Sequence, residues 1–244
     1  QRQNVTKLIM KKILISGGDG KFAQAILKNN KKFKIFAPNK RQMNILKYNT
    51  VASYIKKTNA KFFIHSAALT TPMSRHTSEI IRSIDTNIIG SANVAKACHL
   101  HNVKLIYIST NFVYPGLKGN YKETDNLMPV NEYAWSKLGG ECATKLCKNH
   151  LILRLCMTDD NYPHEIAYDN YITSFIRKTD AAKKLLKLIN KNGIINLGGP
   201  TQTAYKFAKK NNKNVKRGLM NKGKFKLLGK NTSINLTKLK KYNV

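Results

Sequence analysis

The sequence predicts a doubly wound α/β fold, a parallel sheet with helices on both faces, completed by a small, shortened C-terminal lobe. Three observations carry this. A glycine-rich turn, Ser16-Gly17-Gly18-Asp19-Gly20-Lys21-Phe22-Ala23, follows a short apolar run. Apolar, partly β-branched runs then recur at the spacing of alternating strands and helices. Helical stretches at about 78–101 and 133–148 separate the middle runs and supply the crossovers that parallel strands need.

Residues 11–17 read as the first strand and 22–30 as the first helix, so the glycines fall in the strand-to-helix turn. Such a turn is a phosphate site. Gly17 permits the tight bend, Gly20 lets backbone approach a pyrophosphate, and Ala23 is small enough for the helix to pack on the strand, with the helix N-terminus facing the anion. Residues 32–38 form a second strand. Its end, about 20 residues past the first glycine, is where NAD-preferring folds place a carboxylate on the ribose 2′-hydroxyl. Here Ala37, Pro38 and Asn39 are followed by Lys40 and Arg41. No acid is available and two cations are, which predicts NADP(H) over NAD(H).

Further strands are expected at 61–67, 104–110, 150–156 and 193–199. Ligands of such sheets bind at the carboxyl ends of the strands, where Gly17, Ala67 and Thr110 lie. The next helix carries Tyr133-Ala134-Trp135-Ser136-Lys137. Four residues apart, Tyr133 and Lys137 project from one helix face. A free phenol has a pKa near ~10. A lysine ammonium beside it, together with the positive charge of an oxidised nicotinamide, is expected to lower that value. Tyr133 could then exchange a proton with a substrate oxygen while hydride moves at the adjoining carbon. Thr110 would hold the same oxygen through its hydroxyl.

These residues give the chain a family likeness. It resembles the extended short-chain dehydrogenases/reductases and, among these, the dTDP-4-dehydrorhamnose reductase branch. The likeness rests on ILISGGDGKFA, FIHSAAL, DTNIIGSANVAKAC, LIYISTNFVYPG and ETDNLMPVNEYAWSKLGGE, with NTSINLTKLKKY near the end. It implies a Rossmann-type domain at residues 10–156 and a short, basic region at 157–244 that supplies a substrate lobe and completes the sheet. Carried over by position, it makes Tyr133 the proton donor, Lys137 the ribose-binding cation and Thr110 the ligand of the substrate oxygen. It sets Gly17, Gly20, Lys21 and Phe22 at the pyrophosphate, Asn44 and Ile45 near the adenine, and Ser66, Ala67 and Ala68 along the cofactor. Asn87 becomes a polar brace near the site.

Two departures stand out. Asn111 occupies the place of the branch's usual aspartate, and Asn111-Phe112 argues against the dehydratase relatives, which carry an acidic pair there. Between Cys156 and Tyr171 the chain offers only MTDDNYPHEIAYDN, shorter than the family's segment, so the substrate pocket is expected to be small, remodelled or lost; a helical pattern resumes at Tyr171. The implied activity is NAD(P)H-dependent reduction of a nucleotide-linked 4-keto-6-deoxy sugar. The alternatives are a sugar-nucleotide epimerase, which returns the hydride, and a non-catalytic, cofactor-binding regulatory subunit.

The 244 residues suit one compact α/β unit with a short lobe. Residues 1–9 precede Met10 and are expected to be a non-native or disordered extension. Lys and Arg number 44 against 12 Asp and Glu, a net charge of +32. Only seven are arginines, and lysine, asparagine and isoleucine are abundant together, as a biased composition gives. From Asn170 onward Asp180 is the one acid against 19 basic residues, a field that would draw in an anionic nucleotide sugar. The same charge binds nucleic acid only non-specifically, at low salt. Cys98, Cys142, Cys147 and Cys156 have no metal-binding spacing and read as reduced core thiols of a cytoplasmic protein. His164, Glu165 and Asp169 read as a polar loop with no metal, and His65 as a packing residue. No apolar run reaches the length of a membrane span. A homodimer is entertained as the assembly.

Overall fold

The computed structural model describes residues 10–244, so the expectation for residues 1–9 lies outside the described residues. Strand β1 (Lys12–Ser16) sends Ile13 and Ile15 to one face of the sheet and Leu14 to the other, the alternation a strand imposes. The glycine turn leads into α1 (Lys21–Asn29), which buries Phe22, Ala23 and Ile26 on the first face. Then follow β2 (Lys34–Phe36), α2 (Tyr48–Thr58) and β3 (Phe62–His65). Two short turns, Arg75–Ser78 and Ile80–Ser83, run through a π-helical turn, Ile84–Ile89, into α3 (Gly90–Leu100). Strand β4 (Lys104–Thr110), helix α4 (Glu132–Lys145), β5 (His150–Leu155), α5 (Lys178–Leu188) and β6 (Gly193–Leu197) complete the main body.

The six strands lie in the order β6-β5-β4-β3-β1-β2, and every pairing is parallel. On one face α1 and α5 bury Ala23, Ile26, Ala181 and Leu185 against Ile13, Ile106 and Leu153. On the other, Val51 and Ile55 of α2 and Val94 and Cys98 of α3 pack on Leu14, Phe63 and Leu105. Connections run to opposite sides from β1 and β3. The crevice between these strand ends is the switch point at which open α/β sheets take their ligands.

Residues from 157 onward contribute α5 and β6 to this body and also build a small lobe. The lobe holds short ladders, Ile166–Tyr168 with Lys216–Gly218 and Ile172–Thr173 with Gln202–Thr203, and the helix α6 (Ala204–Asn211). Tyr162, Ala167, Phe207, Ala208 and Val215 give it its own apolar centre.

Two sequence expectations need correction. Helix does not resume at Tyr171 but at Lys178, because Ile172 and Thr173 pair with Thr203 and Gln202 and Ile176 pairs with Met157. All four cysteines are free, but Cys142 is exposed and so is no core thiol. Helix α4 turns Lys137, Glu141 and Thr144 inward, leaving position 142 on the outer side. Among the described residues, no helix is long and apolar enough to cross a membrane, and no cluster of His, Cys, Asp and Glu could hold a metal ion.

Candidate active site

The glycine turn is wedged between the ends of β2 and β3. Gly17 has φ +71°, and a Cβ there would lie 2.9 Å from Ala67 Cα, so both conformation and space exclude a side chain. A Cβ on Gly18 would overlap the Ala37 carbonyl oxygen, and the Gly18 N–H donates to the Pro38 carbonyl at 3.0 Å. Gly20 is the N-cap of α1; no side chain caps the helix and no acid occupies its first turn. The open amides of that turn fit a pyrophosphate. Lys21 is exposed beside it and pairs with Asp159 at 3.0 Å. The Phe22 side chain is buried in the core, leaving its backbone for the turn.

Ser66, Ala67 and Ala68 extend from the end of β3. The Ser66 and Ala67 N–H groups both donate to Ser16 Oγ at 3.2 Å. Lys40 and Arg41 stand exposed beyond β2, in a loop turned by Asn39 Oδ1, which accepts from the Arg41 and Gln42 N–H groups. Asn44 caps the next bend by accepting the Leu46 N–H at 3.0 Å. Ile45 is buried with the α2–α3 cluster, so of this pair only Asn44 keeps its side chain in a loop.

Helix α4 begins where it does because Asn131 Oδ1 accepts the Ala134 N–H at 2.8 Å. Asn131 Nδ2 also donates to the Leu227 carbonyl of the lobe at 2.7 Å. This start sets Tyr133 in the first turn, beside the end of β4. Burial pushes the Tyr133 phenol up to about 12, with the Thr110 hydroxyl opposing. The ammonium of Lys137, expected to lower that value, does not do so: it lies 4.3 Å over the ring of Tyr107 instead. Tyr107 fits under the helix because a Cβ at Gly140 would collide with its hydroxyl, and that hydroxyl donates to the Lys137 carbonyl at 3.1 Å. Burial brings Lys137 down to about 7, against the opposing Glu141 carboxylate. Tyr133 thus holds its proton at neutral pH, whereas Lys137 titrates near it.

Apart from Asn87, which the family likeness implies as a polar brace, several residues around the site carried no signal in the sequence. His65, expected only to pack, bonds through Nδ1 to Ser16 Oγ at 2.8 Å and through Nε2 to Ser91 Oγ at 3.0 Å. Burial, with the charge of Lys137 adding, lowers it to about 3, so the bridge is neutral. Ser91 donates to the Asn87 carbonyl at 2.7 Å. Asn87, in the π-helical turn, clasps the Leu69 backbone through both N–H and carbonyl and donates to Ser136 Oγ at 2.8 Å. Ser136 donates to the Tyr133 carbonyl at 2.8 Å. One buried polar chain therefore joins the end of β1 to the tyrosine helix. Beneath it, Glu141 accepts from Arg154 Nη2 at 2.8 Å and from Ser109, and Arg154 Nη1 donates to Tyr114 at 2.9 Å.

The family model described as the RmlD substrate binding domain matches residues 10–217. The dTDP-4-dehydrorhamnose reductase of Aggregatibacter actinomycetemcomitans is 28% identical over 199 residues, 79% of this chain and 63% of that protein. Methionine adenosyltransferase 2 subunit beta of Bos taurus is 29% identical over 144 residues, 54% and 42%. The chain thus spans less than two thirds of the length of these curated relatives. Among solved structures, the dTDP-4-dehydrorhamnose reductase from Bacillus anthracis str. Ames in complex with NADP superposes with a TM-score of 0.84. It covers 95% of this chain and 92% of its own at 21% identity, a likeness of fold.

Proposed function

Because this chain belongs to the RmlD substrate binding domain family, we propose that it is a nicotinamide-dependent reductase of a nucleotide-linked 4-keto-6-deoxy sugar, similar to the dTDP-4-dehydrorhamnose reductases. The observation that supports the reading is the Thr110 hydroxyl beside the Tyr133 phenol, with Lys137 one turn further along the same helix, at the carboxyl edge of a parallel sheet whose glycine turn leaves a helix N-terminus uncapped. The cofactor, when bound, supplies a hydride to the carbonyl carbon. Gly17, Gly20, Lys21 and Phe22 hold its pyrophosphate, Lys21 exchanging Asp159 for phosphate. Ser66, Ala67 and Ala68 line its path, Asn44 and Ile45 lie toward the adenine, and Lys137 takes the ribose. Thr110 orients the substrate oxygen. Tyr133, still protonated at neutral pH, gives its proton to that oxygen as charge develops there.

Lys40 and Arg41, with no acid at the end of β2, support NADP(H) over NAD(H). Absorbance at the nicotinamide band tests the whole reading. With a dTDP-4-keto-6-deoxy sugar, NADPH is oxidised faster than NADH; a flat trace with both cofactors, over a panel of nucleotide-linked keto sugars, rejects the reductase. The likeness to a methionine adenosyltransferase subunit favours the second reading, a cofactor-binding regulatory subunit, for which NADPH binds and no keto sugar turns over. The retained Thr110, Tyr133 and Lys137 favour the enzyme.

A homodimer belongs to the same proposal. Trp135 and Cys142 of α4 and Ile81, Ile84 and Ile89 on the adjoining turns are exposed, an apolar face of the kind that marks association. Sedimentation at twice the monomer mass, lost in Trp135→Glu, is the expected result; a monomer at all concentrations rejects it.

A further inference from the structure

His76 stands apart from the polar chain described above. It sits on the short turn Arg75–Ser78 and is fully buried. Its ring centroid lies 5.0 Å from that of Tyr133, with the planes inclined at 56°. Nδ1 is held by Ser83 Oγ at 2.7 Å. Nε2 has no partner, and it is the one buried side-chain nitrogen or oxygen among the described residues left in that condition. The Thr70 backbone lies near enough to oppose the effect of burial on the ring, but it does not pair with Nε2.

A phenylalanine at this place would pack on Tyr133 without stranding a nitrogen. An unpaired buried polar atom costs stability unless a partner arrives in another state of the protein. The partner must come to the Tyr133 ring, and the molecule that comes there is the substrate. A sugar held by its carbonyl oxygen on the Tyr133 phenol carries a hydroxyl on the adjoining carbon, within reach of a second group at the ring's flank. Thr70, Thr71 and Pro72, which precede His76, are exposed loop. Burial, the largest influence on His76, lowers its proton affinity, and a neutral imidazole can donate or accept through Nε2 according to its tautomer.

We propose that His76 is a specificity-determining residue whose Nε2 hydrogen-bonds the sugar hydroxyl next to the reacting carbonyl. The inference rests on the reductase reading. Its test compares wild type, His76→Phe and His76→Gln for KM and kcat with a dTDP-4-keto-6-deoxy sugar and with the analogue lacking the adjoining hydroxyl, and for NADPH affinity and melting temperature. His76→Phe is expected to raise KM for the sugar about tenfold, the loss of one hydrogen bond, with NADPH affinity held and a modest fall in melting temperature, because the buried Ser83 hydroxyl loses its His76 partner. His76→Gln recovers part of the loss, and the difference between wild type and His76→Phe vanishes on the deoxy analogue. If His76→Phe fails to fold, the comparison of wild type and His76→Gln on the two substrates decides. Unchanged KM in an active His76→Phe enzyme, or a fall confined to kcat, overturns the inference and leaves the reductase standing. Absence of turnover by wild type on every keto sugar overturns both.

Discussion

Tyr133→Phe is expected to lower kcat by about 10²- to 10⁴-fold, the usual contribution of a positioned general acid, while NADPH affinity stays within about twofold. The hydroxyl is the only part removed. The ring remains against His76 and Phe112, and Asn131 still caps the helix, so the fold is retained. With its value pushed up to about 12 by burial, Tyr133 is protonated at neutral pH. An alkoxide is a stronger base than the phenolate left behind, so the proton transfer runs downhill as the carbonyl is reduced. Steady-state rates and fluorescence titration of NADPH check the two halves separately. Equal losses in both would mean that the phenol holds the cofactor instead.

Arg154→Met is expected to destabilise the protein by about 3–5 kcal/mol, the effect of stranding one partner of a buried ion pair, which corresponds to a fall in Tm on the order of 10 °C for a chain of this size. Both side chains are almost completely inaccessible, 3% for Arg154 and 4% for Glu141. Arg154 also bonds Tyr114 and the Glu123 carbonyl, so three elements lose a shared donor. The double variant Glu141→Leu with Arg154→Met removes both charges and is expected to recover much of the loss. The Glu141 carboxylate is also what opposes the burial of Lys137. Thermal unfolding of both variants checks the account; an Arg154→Met protein as stable as wild type contradicts it.

Local pattern carried the framework. The strand-glycine-helix sequence at Gly17–Gly20 and the four-residue spacing of Tyr133 and Lys137 are written in adjacent residues, and each was legible for that reason. The bridge from Ser16 through His65 to Ser91 was not, because its members lie 49 and 26 residues apart and no period links them. Glu141 and Arg154 belong to a helix and a strand whose mutual facing only the sheet establishes. The segment after Tyr171 looked helical in isolation, yet pairing with Thr203 and Gln202 decided its form. Gly18 is sterically the tightest glycine of its turn, a fact that depends on where Ala37 ends up. Tyr107, within the run at 104–110, was not singled out in the sequence, and it is the residue on which the Lys137 ammonium rests.

The central claim is that hydride passes from the nicotinamide to a sugar carbonyl in this chain. NADPH carrying deuterium at the reactive nicotinamide carbon, incubated with a dTDP-4-keto-6-deoxy sugar, tests it most directly by mass spectrometry of the sugar. The account predicts one deuterium in each reduced sugar, with one cofactor oxidised per sugar and no transfer by Tyr133→Phe. Sugar converted with no net oxidation of the cofactor would mark an epimerase, and NADPH bound tightly with its deuterium retained and the sugar unchanged would contradict the reductase outright.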